Sequence, residues 1–302
     1  MSITNNETRG EIGVVIVAYN SSKHLPGLFE SLKSANKLIS SVNIIENNSP
    51  EKLRTTKIIG RIQQTHPELH IRYVQNKKNT GFGAACNQGA KKIRSKYILF
   101  LNPDTRLKEK ALQILLEHSK MRNCDIIGGK CIKNKTSIHR TAVRHPDLVV
   151  GLFEFSNLGK ILNTKSGQSR FYYEDIQIEK ARDDIHVDAV SGAYLLIKRE
   201  SLNKLTGFDE NFFMYLEDVD LGHRANLAGM KVCYCPHSEI WHEGGASSKN
   251  KYRITHKAWF DSRKMYYKKH YGYGVNAIIQ PLFTLEEILL KVRSHVMRER
   301  TK

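Results

Sequence analysis

The apolar positions of this chain fall into short continuous runs separated by stretches of helical periodicity. Ile12 to Ala18 reads Ile-Gly-Val-Val-Ile-Val-Ala, the short, β-branched pattern of a strand buried on both faces. Leu25, Leu28, Phe29 and Leu32 follow at helical spacing, with Ser22 placed to cap that helix. Val42 to Ile45 predicts a second strand, Leu53 to Gln64 a helix, Ile71 to Val74 a third strand, Gly81 to Lys92 a helix opened by glycine, and Tyr97 to Leu101 a fourth strand. An amphipathic helix over Lys108 to Met121 and a strand from Ile126 to Gly128 close this half. Strands alternating with helices predict an α/β fold around a parallel sheet with right-handed crossovers.

Between Cys131 and His186 the periodicity weakens, which predicts loops with short elements. The pattern then returns with a strand over Ser191 to Lys198, a helix over Asp218 to Ala228 and a strand over Lys231 to Cys235. Beyond Ser248 the chain turns basic and aromatic: Arg263, Lys264, Lys268 and Lys269 interleave with Tyr266, Tyr267, Tyr271 and Tyr273. Ile278, Leu282, Leu285, Leu289, Val292 and Val296 repeat at helical spacing, with Lys291, Arg293, Arg298 and Arg300 nearby. Such a stripe suits an anionic membrane surface, and equally a helix packed on its own domain or on a second copy in a homodimer, because amphipathicity does not name its partner. The expected organisation is a flexible start over 1–11, a domain over 12–250 split into halves at 12–130 and 131–250, and a helical tail over 251–302.

Composition narrows the class. Of 302 residues, 40% are hydrophobic and 26% charged, which excludes a wholly disordered chain. No apolar run reaches the ~18 residues of a membrane span, and the polar stretch Met1 to Glu11 is unlike a secretory signal. The expected location is therefore cytoplasmic. A formal net charge of +18 draws polyanions, whether nucleic acid, anionic lipid or a phosphorylated substrate. Five cysteines, an odd number, in that setting predict reduced thiols. Cys233 and Cys235 fall on one strand face and read as small buried hydrophobes.

In parallel α/β sheets ligands bind beyond the carboxyl ends of the strands. Those ends carry Tyr19-Asn20, Asn47-Asn48 and Asn102 to Asp104. The densest chemistry lies in Glu217, Asp218 and Asp220. A helix start favours acids and explains one or two of them; the remainder suits a general base or a metal site. His242, between Trp241 and a glycine-rich turn, is a further candidate. Asn79-Thr80-Gly81-Phe82-Gly83 opens a helix, but Cys86 stands where a dinucleotide fingerprint needs glycine, which excludes that binding mode.

In this order, Val15-Ile-Val-Ala-Tyr-Asn20, Glu46-Asn-Asn-Ser49, Asn79-Thr-Gly-Phe82 with Asn87 and Gly89, Leu101-Asn-Pro-Asp-Thr105, Val190-Ser-Gly-Ala193, Gly207-Phe-Asp-Glu210 and Phe213-Met-Tyr-Leu-Glu-Asp-Val-Asp-Leu221 with Trp241-His242 resemble the family 2 inverting glycosyltransferases, above all their rhamnosyltransferase-like branch. The resemblance runs from Ile12 to Ser248. It implies a GT-A fold with a Rossmann-like, mostly parallel central sheet. It places Ala18, Tyr19, Asn20, Glu46, Asn47, Asn79, Gly81, Asn87 and Asn102 around the nucleotide-sugar donor. Glu46 stands where the family more often has Asp, and Ala189 where it often has Trp. Asp104 and His242 would hold Mg²⁺ or Mn²⁺ on the donor diphosphate. Asp218 matches the catalytic base, with Glu217 the competing candidate.

The resemblance implies an enzyme that moves a sugar, rhamnose from dTDP-rhamnose first, to a glycan or lipid-linked acceptor in cell-surface polysaccharide synthesis, with a peripheral place on the membrane. A UDP-sugar donor is the alternative within the class. A basic nucleic-acid-binding protein is the alternative outside it, and no nucleic-acid motif supports it.

Overall fold

The computed structural model describes residues 10–134, 137–164, 166–174, 177–178, 181, 183–244 and 252–299, with the side chains of 134, 160, 166, 167, 169, 252–254 and 291–299 outside that description. The first half runs β1 (Ile12–Ala18), α1 (Leu25–Leu32), β2 (Ile39–Glu46), α2 (Lys52–Thr65), β3 (Ile71–Gln75), α3 (Phe82–Ala90), β4 (Tyr97–Leu101), β5 (Thr105–Leu107), α4 (Ala111–Met121) and β6 (Ile126–Asn134). The middle holds the short β7 (Ser137–His139), β8 (Ala142–Val143), α5 (Leu148–Phe153), α6 (Leu158–Ile161), α7 (Ser166–Phe171) and β9 (Ile185–His186). There follow β10 (Ala189–Val190), β11 (Tyr194–Lys198), α8 (Arg199–Lys204), α9 (Glu217–Leu227), β12 (Val232–His242), α10 (Tyr252–His270) and α11 (Tyr273–Glu299).

One sheet takes the order β3-β2-β1-β4-β11-β6-β12-β5, with β7 and β9 branching from β6 and β12. Strands β3, β2, β1 and β4 are mutually parallel, as the alternation of strands and helices predicts. Strand β11 enters antiparallel between β4 and β6. Alternation along β1 splits its side chains between two cores. Val14 and Ile16 join Leu25, Phe29, Ile59 and Leu115 on one face. Val15 and Val17 join Ala85, Phe100, Leu202 and Leu221 on the other. That two-sided burial is what the continuous apolar run encodes.

Several local expectations are corrected. Helix α1 begins after His24, with a proline in its first turn, and the Ser22 hydroxyl instead donates to the Glu51 carboxylate at 2.7 Å. Ser22 therefore joins two elements and caps neither. The strand expected from Ser191 starts at Tyr194, because Ser191 to Ala193 form a turn at the active cleft. Cys124 and Cys233 are joined in a disulfide, with Cα atoms 6.1 Å apart across a sequence separation of 109, which overturns the expectation of reduced thiols throughout. The odd cysteine count spoke of compartment; the fold brings the turn after α4 against β12. Cys86, Cys131 and Cys235 are free and buried.

The tail is partly core. Tyr266, Tyr267, Ile279 and Phe283 pack with Val150, Phe155, Phe171, Leu216 and Val219. Arg263 lies buried between the Phe260 and Phe283 rings, each 4.1 Å away, and its charge is met by Glu286 at 2.7 Å. Ile278, Leu285, Ile288 and Leu289 remain exposed on α11. No helix among the described residues is long and apolar enough to cross a membrane. The distal stripe residues Val292 and Val296 and the basic side chains from Lys291 to Arg300 lie outside the described side chains.

Phe283 is fully buried in this third core. Phe283→Ala should cost roughly 3–5 kcal/mol of stability, read as a lowered urea midpoint; an unchanged midpoint would show that α11 does not belong to the folded domain.

Candidate active site

Beyond the carboxyl ends of β1, β2 and β4 lies a cavity of about 450 Å³. It is built from turns that the sequence makes specific. At the end of β1, Asn20 turns the chain with φ 51°, a conformation asparagine tolerates better than most residues. At the end of β2, Asn47 is buried and fully engaged. Its amide donates to the Asn79 side chain at 2.8 Å and the Gly81 carbonyl at 3.0 Å. Its oxygen accepts from Asn76, the Thr80 N–H and the Thr80 hydroxyl. The 76–81 loop is thereby clamped to β2. Gly81 has φ 89°, and a Cβ there would sit 2.4 Å from the Phe213 carbonyl, so glycine is required where this loop meets the 213–216 turn.

Asp104 and His242 meet because β5 pairs antiparallel with the end of β12, Thr105 opposite His242. Their side chains lie 3.3 Å apart, Nε2 to Oδ1, and both are largely shielded from solvent. Asn102 approaches the same Nε2 at 3.4 Å, while the buried Nδ1 of His242 has no hydrogen-bond partner. Burial raises the Asp104 pKa, but the hydrogen bond and charge of His242 outweigh it and leave the group below its ordinary value. The cluster offers oxygen and nitrogen donors around an anionic carboxylate, a donor set that suits a hard divalent cation.

The other wall is the start of α9. Tyr215 and Leu216 take left-handed conformations, φ 74° and 64°, and this bend sets Glu217 and Asp218 side by side at the cavity. The Gly192 N–H donates to Asp218 Oδ2 and the Val219 N–H to Oδ1, both at 2.9 Å. Burial raises the Asp218 pKa, and these donors and a hydrogen bond with Ser191 offset only part of that rise. Glu217 is raised well above its ordinary value by burial and by the Asp218 charge, and its Oε2 is buried without a partner. The donors therefore place the negative charge on Asp218 and the proton on Glu217.

Of the residues anticipated from sequence, Tyr19, Asn47, Asn79, Gly81, Asn102, Asp104, Glu217, Asp218 and His242 line this one cavity. Ala18, Asn20, Glu46 and Asn87 do not. The Ala18 carbonyl accepts from the Asn47 N–H, and Asn20 makes the turn behind Tyr19. Glu46 is wholly buried and accepts from the Ser49 N–H at 2.6 Å, so it shapes the turn after β2. Asn87 exchanges hydrogen bonds with the Phe208 backbone at 2.8 and 2.9 Å, pinning the turn before α9 from behind. Asp220, the third acid of the cluster, also faces away. Despite burial, His270, Lys269 and Arg224 hold its pKa down at about 2. It ties α9 to α10.

Arg140, Thr141 and Tyr172 from the weakly patterned middle, and Thr255 and Trp259 from the tail, also line the cavity and were not anticipated. Trp259 carried a usable signal, being one of two tryptophans in the chain. The glycine-rich turn after His242 lies outside the described residues from Gly245 onward.

The mixed sheet, the cleft at its strand ends and the acids across it are the architecture of a GT-A-type fold. A family profile described as "Glycosyltransferase like family 2" matches residues 9–262, and the chain belongs to that family. It is 26% identical over 247 residues to the N-acetylglucosaminyl-diphospho-decaprenol L-rhamnosyltransferase of Mycobacterium tuberculosis, covering 78% of this chain and 76% of that protein. It is 27% identical over 164 residues to the rhamnosyltransferase WbbL of Escherichia coli K12, covering 52% of this chain and 58% of WbbL. Among solved structures, the mannosyltransferase PcManGT from Pyrobaculum calidifontis superposes with a TM-score of 0.58 at 15% identity, over 86% of this chain and 64% of that one. Residues 1–349 of TarS from S. aureus superpose with 0.52 at 14% identity, over 84% and 64%. At these identities the two structures speak for the fold alone.

A carboxyl whose folded pKa is raised adds stability below its unfolded pKa and loses that contribution as pH rises through the folded value. Glu217 is such a group. Glu217→Gln should therefore gain stability relative to the parent as pH is raised from about 4 to 8. Urea midpoints across that range measure it, and a difference that stays constant or shrinks would refute the assigned protonation.

Proposed function

We propose that this glycosyltransferase moves rhamnose from dTDP-rhamnose to a hydroxyl of a glycan or lipid-linked saccharide in cell-surface polysaccharide synthesis, inverting the anomeric centre in one displacement. The observation that carries this reading is the placement of Asp218, held anionic by the Gly192 and Val219 N–H groups, in the same cavity as Asp104 and His242. The names of the two rhamnosyltransferase relatives support the donor and the class of acceptor.

In this scheme Asp218 accepts the proton of the attacking hydroxyl. A general base must be ionised and within hydrogen-bond reach, and the Gly192 and Val219 donors supply the first condition while fixing the carboxylate's orientation. Glu217 keeps its proton and so does not compete. The Asn47–Asn79–Gly81 clamp and Tyr19 form the donor floor, Asn102 flanks Asp104, and Trp259 with Tyr172 offers aromatic surface to a sugar ring. Asp104 and His242 fit Mg²⁺ or Mn²⁺, since the pair joins an anionic oxygen to an imidazole whose second nitrogen is buried and unpaired; the mannosyltransferase neighbour is described with GDP-Man and Mn²⁺. Such an ion, when bound, neutralises the charge that develops on the departing nucleoside diphosphate. A UDP-sugar donor is the second reading, supported by the TarS neighbour, which is described in complex with UDP.

The exposed Ile278, Leu285, Ile288 and Leu289 on α11, in a chain of net charge +18, further support peripheral attachment to an anionic membrane face. Vesicles containing phosphatidylglycerol should carry the protein upward in a flotation gradient, and Leu285→Ser with Leu289→Ser should abolish this; flotation unaffected by the double substitution would exclude α11 as the contact.

Asp218→Asn should lower turnover by about 10²–10⁴-fold with nucleotide-sugar binding retained, and Glu217→Gln should be far milder. The decisive measurement is nucleoside diphosphate release from a panel of nucleotide sugars, with saccharide acceptor and Mg²⁺ or Mn²⁺ present. The acidic limb of the rate profile should lie above the ordinary Asp value of 3.8, since the base must lose its proton first. Undiminished turnover in Asp218→Asn would remove the assigned base, and turnover with UDP-sugars only would replace the assigned donor.

A further inference from the structure

Away from the cleft, three chemically unlike side chains converge where α4, the end of the 131–186 connection and β12 meet. His118 of α4 lies 2.6 Å from Asp184, Nδ1 to Oδ2. The buried Cys235 of β12 completes a group whose nitrogen, oxygen and sulfur atoms all lie within 4.8 Å of one another. None of the three lines the catalytic cavity. We propose that His118, Asp184 and Cys235 form a second metal site, selective for a borderline divalent cation such as Zn²⁺, that fastens the disulfide-bearing edge of the sheet.

Three observations carry this. The first is the donor set. Imidazole, carboxylate and thiol at mutual ligand distance match tetrahedral zinc and are poor for Mg²⁺, which prefers an all-oxygen shell. The second is an unmet demand. The Asp184 side chain is only 3% exposed, and its Oδ1 is buried with no hydrogen-bond partner. Arg122 stands 4.0 Å away but on the Oδ2 side, which His118 already uses. A buried carboxylate oxygen left unpaired is costly, and a cation would satisfy it.

The third is the sulfur's surroundings. Beside an irregularity between Cys235 and Glu239 in the pairing of β12 with β6, the backbone N–H groups of His237 and Ser238 both point at the Cys235 sulfur. Two such donors stabilise a thiolate. Without a cation, burial, the Asp184 charge and a hydrogen bond from the thiol to that carboxylate push the thiol up to about 12, so a cation replaces that hydrogen bond and binding must expel the proton to solvent as the sulfur–metal bond forms. The His237 ring stands with its centroid 5.9 Å from that of His118, placing a fourth donor at the rim; water is the other candidate for that position.

Co²⁺ added to the chelator-treated full-length protein provides the test, because a thiolate–cobalt bond gives a near-ultraviolet charge-transfer band that oxygen and nitrogen ligands do not. The band should form at one equivalent, with release of about one proton from the thiol, and should persist in Asp104→Asn, whose own cation site contains no sulfur. Cys235→Ser should abolish it. His118→Ala should weaken Co²⁺ binding by at least the roughly 10–100-fold seen for lesser perturbations of metal sites. Zn²⁺ should displace Co²⁺ and raise the melting temperature. Absence of the band at saturation would overturn the proposal, as would a band that survives Cys235→Ser and so arises from another sulfur. Should Cys235→Ser fail to fold, His118→Ala decides, because that side chain is partly exposed: unchanged affinity and spectrum would equally overturn the site.

Discussion

The mechanism proposed for this protein depends on where one negative charge settles. Two adjacent carboxyl groups open α9 in the wall of a cleft, and burying both as anions would be prohibitive. The Gly192 and Val219 N–H groups break the tie by donating to Asp218, while Glu217 is given no equivalent partner. The arrangement exists only because β11 enters the sheet antiparallel. That entry turns the chain at Ser191–Gly192 directly above the helix start. A parallel strand in the same slot would present its other end, and the donors would be lost to the cleft.

The tail follows from the same constraint. Asp220, two residues further along α9, is also fully buried, and a second anion so close to Asp218 would raise the cost again. The structure neutralises it from outside the cleft, with Arg224 on the same helix and Lys269 and His270 on α10. Helix α10 is thus bound electrostatically to the element that carries the proposed base, and the same helix delivers Trp259 to the cavity. What reads in sequence as a basic appendage is the counter-charge of an acidic helix start.

Much of the first half was legible from residue order because a strand buried on both faces needs an unbroken apolar run. Ile12–Ala18 and Tyr97–Leu101 have one, and their ends locate the polar turns. The ordered motifs likewise brought Asp104, His242, Glu217 and Asp218 to notice. What residue order did not disclose is direction and distance. Nothing local distinguishes Asp218 from Asp220, which differ by about 200° around a helix of 3.6 residues per turn. Nothing local separates Asn47, which clamps the donor floor, from Asn87, which pins a turn behind it. The Cys124–Cys233 bond and the tail's Trp259 are tertiary facts of the same kind.

Backbone strain completes the argument. Asn20, Gly81, Tyr215 and Leu216 all have positive φ, and all lie in the turns that frame the cavity. For non-glycine residues such conformations cost about 1–3 kcal/mol each, and they persist only where surrounding structure over-determines them. Here the surroundings are the two sheet cores and the third core that the tail completes, in which Leu216 itself is packed with Phe212, Val219, Tyr266 and Phe283. The tail therefore stabilises the bend that sets the orientation of Glu217 and Asp218. A strained turn held by a distant helix links the position of the proposed base to the integrity of α10 and α11.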